Sequence, residues 1–274
     1  MSKNLRNVQS GVKRFMSAAA PKSAPSLGSS SNQVKVSTLP SGLVLASIDA
    51  EAPLARVAVT IRAGARYEPE VSLGITHTLR SAAGFSTKNF TNFNISRDIE
   101  YYGGRLSVIG QRDTITYLLE AHSEEGLISR NFELLADTVS NPEFFHWELS
   151  DNLERIKADL SLVEDAPQIQ LTEALHKAAF KGGLRKSLYT PKHMVGKHTT
   201  DNLLEYVKKR FVSPNTVVVG YGVDHQQLVE MVGKGINLGS SAAGKCNAKY
   251  IGGELHIDSS SNLTYVALAS EGVG

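Results

Sequence analysis

The 274-residue chain is long enough to bury a core of its own, and its 41% apolar and 20% charged residues are ordinary for a globular protein. A net charge of +2 makes no electrostatic case for nucleic acid. No run of about 18 apolar residues offers a bilayer span, so membrane contact is expected only through partners. The single cysteine, Cys246, excludes an internal disulfide framework and a multi-cysteine zinc or iron–sulfur set, and no cofactor is expected.

From Met1 to Ile48 there is no acidic residue, whereas Lys3, Arg6, Lys13, Arg14, Lys22 and Lys35 are basic. On a helix, Leu5, Val8, Val12 and Phe15 fall to one side, with the cations mostly elsewhere. This acid-poor, Ser-rich, amphipathic composition predicts a mitochondrial transit peptide, with cleavage after the run Arg14-Phe15-Met16. Residues 17–32 are small, polar and proline-punctuated, so 1–32 read as presequence and linker.

Order is expected from Gln33. The alternation of Val34, Val36 and Thr38, the turn at Pro40-Ser41-Gly42 and the run Leu43–Ile48 predict a β-hairpin. Arg56–Arg62 is a third strand, and helices are expected at Leu73–Ala83 and Ile95–Tyr102. Arg105–Gly110 and Thr114–Ala121 follow as strands, then Glu124–Val139 as a helix of 3.6-residue period. Asn141-Pro142-Glu143 has the chemistry of a helix start and predicts a helix to Leu162. Further helices are expected from Pro167 to Phe180 and from Thr200 to Phe211. Thr216–Gly220 is a buried strand, and Asp224 caps a helix to Gly233. Paired strands with helices in runs predict an α+β fold, helices packed on a mainly antiparallel sheet. The first domain spans 33–236 and a Gly/Ser/Ala linker 237–249. Residues 250–274, with a strand at Leu263–Ala269, read as the opening of a second, truncated domain.

The stretch that should carry chemistry is Leu73-Gly-Ile-Thr-His77-Thr-Leu-Arg80-Ser81, which follows a strand and a loop containing Arg66-Tyr67-Glu68. It resembles the strand–loop–helix of the pitrilysin, insulysin and mitochondrial processing peptidase family, whose helix carries His-x-x-Glu-His. In that motif two histidines one turn apart bind zinc, and the glutamate is the general base for the metal-bound water. Laid on the pattern, His77 keeps the first histidine, Arg80 stands for the glutamate and Ser81 for the second histidine. Arginine accepts no proton and its permanent charge opposes a divalent cation, while a serine hydroxyl is a poor zinc ligand. A degenerate, non-catalytic site is therefore expected, with no metal and no catalytic residue. The family's third ligand is a glutamate on a later helix; Asp159 or Glu164 could stand for it, and the simpler reading of either is a carboxylate on a solvated helix face.

The resemblance covers nearly everything after residue 33 and implies one half of a two-half, zinc-peptidase-like fold. Supporting runs include Ser86-Thr87-Lys88, Ile95-Ser-Arg97-Asp-Ile99-Glu100, Gly103-Gly104-Arg-Leu-Ser-Val108, Asn141-Pro-Glu-Phe144, Leu188-Tyr189-Thr-Pro191 and Gly252-Gly253-Glu254. They are most similar to the branch of non-catalytic core subunits of the mitochondrial cytochrome bc1 complex. That resemblance implies a matrix-side, inner-membrane scaffold paired with a homologous core protein 1 in a dimeric respiratory complex. The alternative it leaves open is the non-catalytic alpha subunit of the mitochondrial processing peptidase; an active metallopeptidase is the remaining class.

Three patterns compete with this reading. Gly220-x-Gly222 before a helix imitates a dinucleotide loop but lacks the third glycine. His193 and His198 could meet at a metal only in a loop. The run Lys208-Lys209-Arg210 suits a helix C-terminus, where cations complement the dipole.

Overall fold

A computed structural model of the chain describes residues 33–50, 52–241, 244, 246–258, 263–270 and 272. The expected transit peptide, and all of 1–32, lie outside the described residues. Strand β1 (Lys35–Thr38) and strand β2 (Val44–Ile48) form the expected hairpin, closed by Leu39 N–H on Leu43 O at 2.9 Å. Strand β3 (Leu54–Ile61) follows, and Ala55, Val57, Val59 and Ile61 point inward with no exposed surface. This period of two places one face of the strand in the core. Helices α1 (Ile75–Ser81) and α2 (Asn92–Tyr101) lead to strands β4 (Arg105–Gly110) and β5 (Ile115–His122).

Helices then accumulate: α3 (Glu125–Ser140), α4 (His146–Asp151), α5 (Leu153–Glu164) and α6 (Pro167–Ala179). A short strand β6 (Phe180–Gly182) precedes α7 (Thr200–Arg210), β7 (Thr216–Tyr221), α8 (His225–Gly235) and β8 (Ala248–Tyr250). The six-stranded sheet has the order β1-β2-β7-β3-β5-β4. β7 enters the middle, parallel to β2 and antiparallel to β3, and the other pairs are antiparallel. The mainly antiparallel α+β reading holds.

The core lies between one face of this sheet and the helices. Tyr117 and Leu119 of β5 and Val218 of β7 join Phe132, Leu135 and Val139 of α3, Leu203 and Tyr206 of α7, and Leu228 and Val232 of α8. On α3 the buried residues recur at helical spacing, which is the stripe that made it legible.

Three expectations are corrected. The helix foreseen from Asn141 begins at His146 and is interrupted at Asn152. Asn141 O and Pro142 are taken up by the 86–88 segment, with Lys88 N–H on Asn141 O at 2.9 Å and a bridge from Thr87 to Pro142. Phe144 then turns into the core at φ 52°. At the end of the segment read as a linker and the first residue beyond it, Ala248–Tyr250 form β8, antiparallel to β6. Beyond them no strand forms among the described residues, neither after Gly252 nor across 264–270, and Val266 and Leu268 are exposed. A β pattern forms a strand only where a ladder partner exists.

Candidate functional site

Helix α1 is short, and six of its seven residues are buried; Arg80 is the exception. Its apolar members, Ile75 and Leu79, join the core. Its polar ones, Thr76, His77, Thr78 and Ser81, are buried too, so the helix needs hydrogen-bond partners on nearly every side. Glu68 serves the N-terminus: its carboxylate accepts from Gly74 N–H at 2.7 Å, Thr76 N–H at 3.0 Å and the Thr76 hydroxyl. Burial raises the Glu68 pKa, and those same hydrogen bonds oppose the rise. Gly74 enters the helix at φ 82°, with Thr190 packed against its Cα.

His77 is 1% exposed. The Thr190 main-chain N–H donates to His77 Nδ1 at 3.2 Å, while the Thr190 hydroxyl donates to Gly74 O at 3.0 Å. An amide can only donate, so Nδ1 carries the lone pair and Nε2 carries the proton. That Nε2–H faces Asp159 Oδ2 at 3.4 Å. Burial first, and then the positive charge of Arg80, lower the His77 pKa to about 4, against a weaker opposing pull from Asp159. The imidazole is thus neutral near pH 7, with one nitrogen closed by an amide and the other turned toward a carboxylate.

Of the two carboxylates proposed for the third position, the structure brings Asp159 to His77, whereas Glu164 pairs with Lys192 at 2.6 Å. Ser81 Oγ is buried and has no hydrogen-bond partner. Arg80 lies over the Tyr189 ring, 5.5 Å from its centroid, and Tyr189 meets His77 edge-on at 5.6 Å. Among the described residues no group of three or more His, Cys, Asp or Glu side chains is arranged to hold a metal ion.

Sequence reasoning gave Tyr189, Thr190 and His198 no role beside α1. His198 accepts from the Thr78 hydroxyl at 2.8 Å and donates to Leu73 O at 3.1 Å, and burial lowers its pKa. These partners lie more than a hundred residues from α1, and no local spacing announces them. His193 is exposed while His198 is buried, so that pair does not form a site. Gly220 faces Leu228 of α8, where an added Cβ would come within 2.8 Å of the leucine. The glycine there serves helix–strand packing. Arg210 sits over the Tyr67 ring at 4.3 Å and donates to Gly244 O at 2.8 Å, so it is more than a solvated helix terminus.

Residues 43–192, which include all of α1, match the sequence profile of the insulinase family, peptidase family M16. The chain belongs to that family. Among curated M16 relatives it is 35% identical to the rat mitochondrial cytochrome b-c1 complex subunit 2 over 87% of this chain and 53% of the relative. It is 33% identical to the human subunit 2 over 94% of this chain and 56% of the relative. The mitochondrial-processing peptidase subunit alpha of Bos taurus is 32% identical over 83% and 43%. The chain thus spans about half the length of the curated relatives it matches. A protease structure from Helicobacter pylori superimposes with a TM-score of 0.72 at 19% identity, covering 80% of this chain and 55% of that one, which shows the shared fold.

Proposed function

We propose that this chain is the first of two like-folded halves of a non-catalytic core subunit of the mitochondrial cytochrome bc1 complex, of the core protein 2 type. It acts in assembly, on the matrix side of the inner membrane, beside a homologous core protein 1. The observation that carries the non-catalytic reading is the polar content of α1. A permanent cation, Arg80, occupies the base position, and Ser81 offers a hydroxyl in place of an imidazole. The proton on His77 Nε2 points at Asp159 rather than leaving that nitrogen open to a metal. A general base must accept a proton from metal-bound water, and neither Arg80 nor the Nε2–H form of His77 does so at that position. Identity of 33–35% to subunit 2 supports the assembly reading.

The processing peptidase alpha subunit is the second reading, favoured by identities of 29–32% to its plant and bovine forms. Affinity purification of the full-length protein from mitochondria separates the two. Co-purification of cytochrome b and cytochrome c1 is the expected result. Recovery with only a zinc-bearing peptidase subunit would move the assignment to the alpha subunit.

A further inference from the structure

The structure assigns an anion site to the cleft at the C-terminal end of α6: we propose that it binds a ligand carrying an anionic phosphate, received by Lys177 and Arg185. This inference goes beyond the scaffold reading and holds whichever assembly the chain joins. The cleft has a volume of about 480 Å³ and lies between the loop ahead of α1, the end of α6 and the turns at 183–185 and 192–194. That is ample for a small organic phosphate. Its basic members, Lys177, Arg185, Lys186 and His193, come from three separate segments. Leu73, Tyr189 and Pro191 add an apolar wall for the rest of a ligand.

What sets the chemistry is how few of these charges are answered. Lys186 is committed, with its Nζ 3.0 Å from Glu70 and donating to Glu68 O. The Glu68 carboxylate is turned to the Gly74 and Thr76 amides at the start of α1. Both acids of the cleft are thus engaged, and among the described residues Lys177 and Arg185 make no ion pair and no side-chain hydrogen bond. Lys177 has a local reason, because a cation in the last turn of α6 complements the helix dipole. Arg185 has none, since it stands on a single three-residue turn. Just before Gly182, Lys181 stands opposite Lys249 in the β6–β8 register, a like-charge pair that lowers stability and raises the positive potential at this end.

The loop that carries Arg185 is fixed by its own contacts. It passes so close to Arg66 that a Cβ on Gly183 would come within 2.5 Å of Arg66 O. Further on, Arg112 donates to Lys186 O and pairs with Glu173 at 2.7 Å, and the other oxygen of that carboxylate accepts from Leu188 N–H at 3.3 Å. Ser187 Oγ accepts from Tyr189 N–H at 3.0 Å, which leaves its own proton to donate into the cleft. Ammonium, guanidinium and hydroxyl donors from different segments suit a tetrahedral phosphate better than a planar carboxylate, which a single arginine fork satisfies.

The test uses the whole chain, with pyrophosphate, ADP and adenosine as soluble probes in titration calorimetry. Vesicles of phosphatidylcholine, with and without phosphatidylglycerol, are the lipid probes in sedimentation. Binding of pyrophosphate and ADP without vesicle binding marks a soluble ligand, and binding of phosphatidylglycerol vesicles that pyrophosphate displaces marks a lipid headgroup; either result supports the site. Adenosine and pure phosphatidylcholine vesicles are expected not to bind. The affinity is expected to fall at least about tenfold in the double variant Lys177→Gln, Arg185→Gln. It should change less than about twofold in Lys208→Gln, Lys209→Gln, which removes the same charge from exposed positions on α7 outside the cleft. Arg185→Lys keeps the charge and is expected to retain most of the affinity. All the substituted residues are exposed, and circular dichroism verifies that the variants fold. No binding of any phosphate probe, binding undiminished in the first double variant, or equal losses in the two double variants would each overturn it.

Discussion

At the scale of single residues, the state of His77 is set by what surrounds it. Its folded pKa of about 4 lies below the ordinary 6.5, so protons favour the unfolded chain once the pH falls beneath the ordinary value. The stability tied to this group is complete above pH 6.5 and is lost as the pH falls toward 4; the full difference is on the order of 3 kcal/mol. We expect side-chain NMR to report a neutral ring with the proton on Nε2 and no titration above about pH 5. A midpoint near the ordinary value would contradict the burial and the Thr190 contact together. Arg80 belongs to the same scale: it holds a permanent cation over the Tyr189 ring, and its charge is the second cause of the lowered His77 pKa.

At the scale of elements, α1 depends on its entry. Gly74 at φ 82° would force an added Cβ to within 2.4 Å of Thr190 Cα, whereas Gly84 at φ 92° has nothing within 4 Å of that position. Both substitutions incur left-handed strain, and only the first adds a backbone clash. Gly84→Ala is therefore expected to cost about 1 kcal/mol and Gly74→Ala about 3 kcal/mol or more in urea unfolding. Equal losses would show that Thr190 yields freely. Elements of this kind were legible where periodicity was strong, as in α3 and the β1–β2 hairpin, because their partners are local or their stripe is wide. The Asn141-Pro142-Glu143 start misled because tertiary pairing with Thr87 and Lys88 outweighed local capping chemistry. In the site, His77, Arg80 and Ser81 were readable from one helical turn. Thr190, Tyr189 and His198 were not, since they meet α1 only after α6 and the loop that follows have folded back.

At the scale of the molecule, the sheet buries one face and leaves the other open and mixed, with valines beside threonines and the Arg56–Glu120 ion pair. Across the strand register, Thr38, Val44, Val217, Thr60, Thr116 and Ile109 form one row on the open face. Val36, Ala46, Val219, Ala58, Leu118 and Ser107 form the next. Val217, Val219 and Tyr221 are exposed at 38%, 41% and 44%, although they sit on a central strand. Exposed apolar side chains on an open sheet face of this sort promote association. The double variant Val217→Thr, Val219→Thr should lower dye binding and concentration-dependent light scattering, with stability changed by less than about 1 kcal/mol. Unchanged scattering would place the association elsewhere. The proposed non-catalytic role requires that α1, in a peptidase fold, be unable to build a hydrolytic zinc centre. Zinc stoichiometry of the purified full-length protein tests it most directly. Zinc well below one ion per chain, unaltered by His77→Ala, is the expected result; close to one ion per chain, lost in that variant, would overturn the proposal.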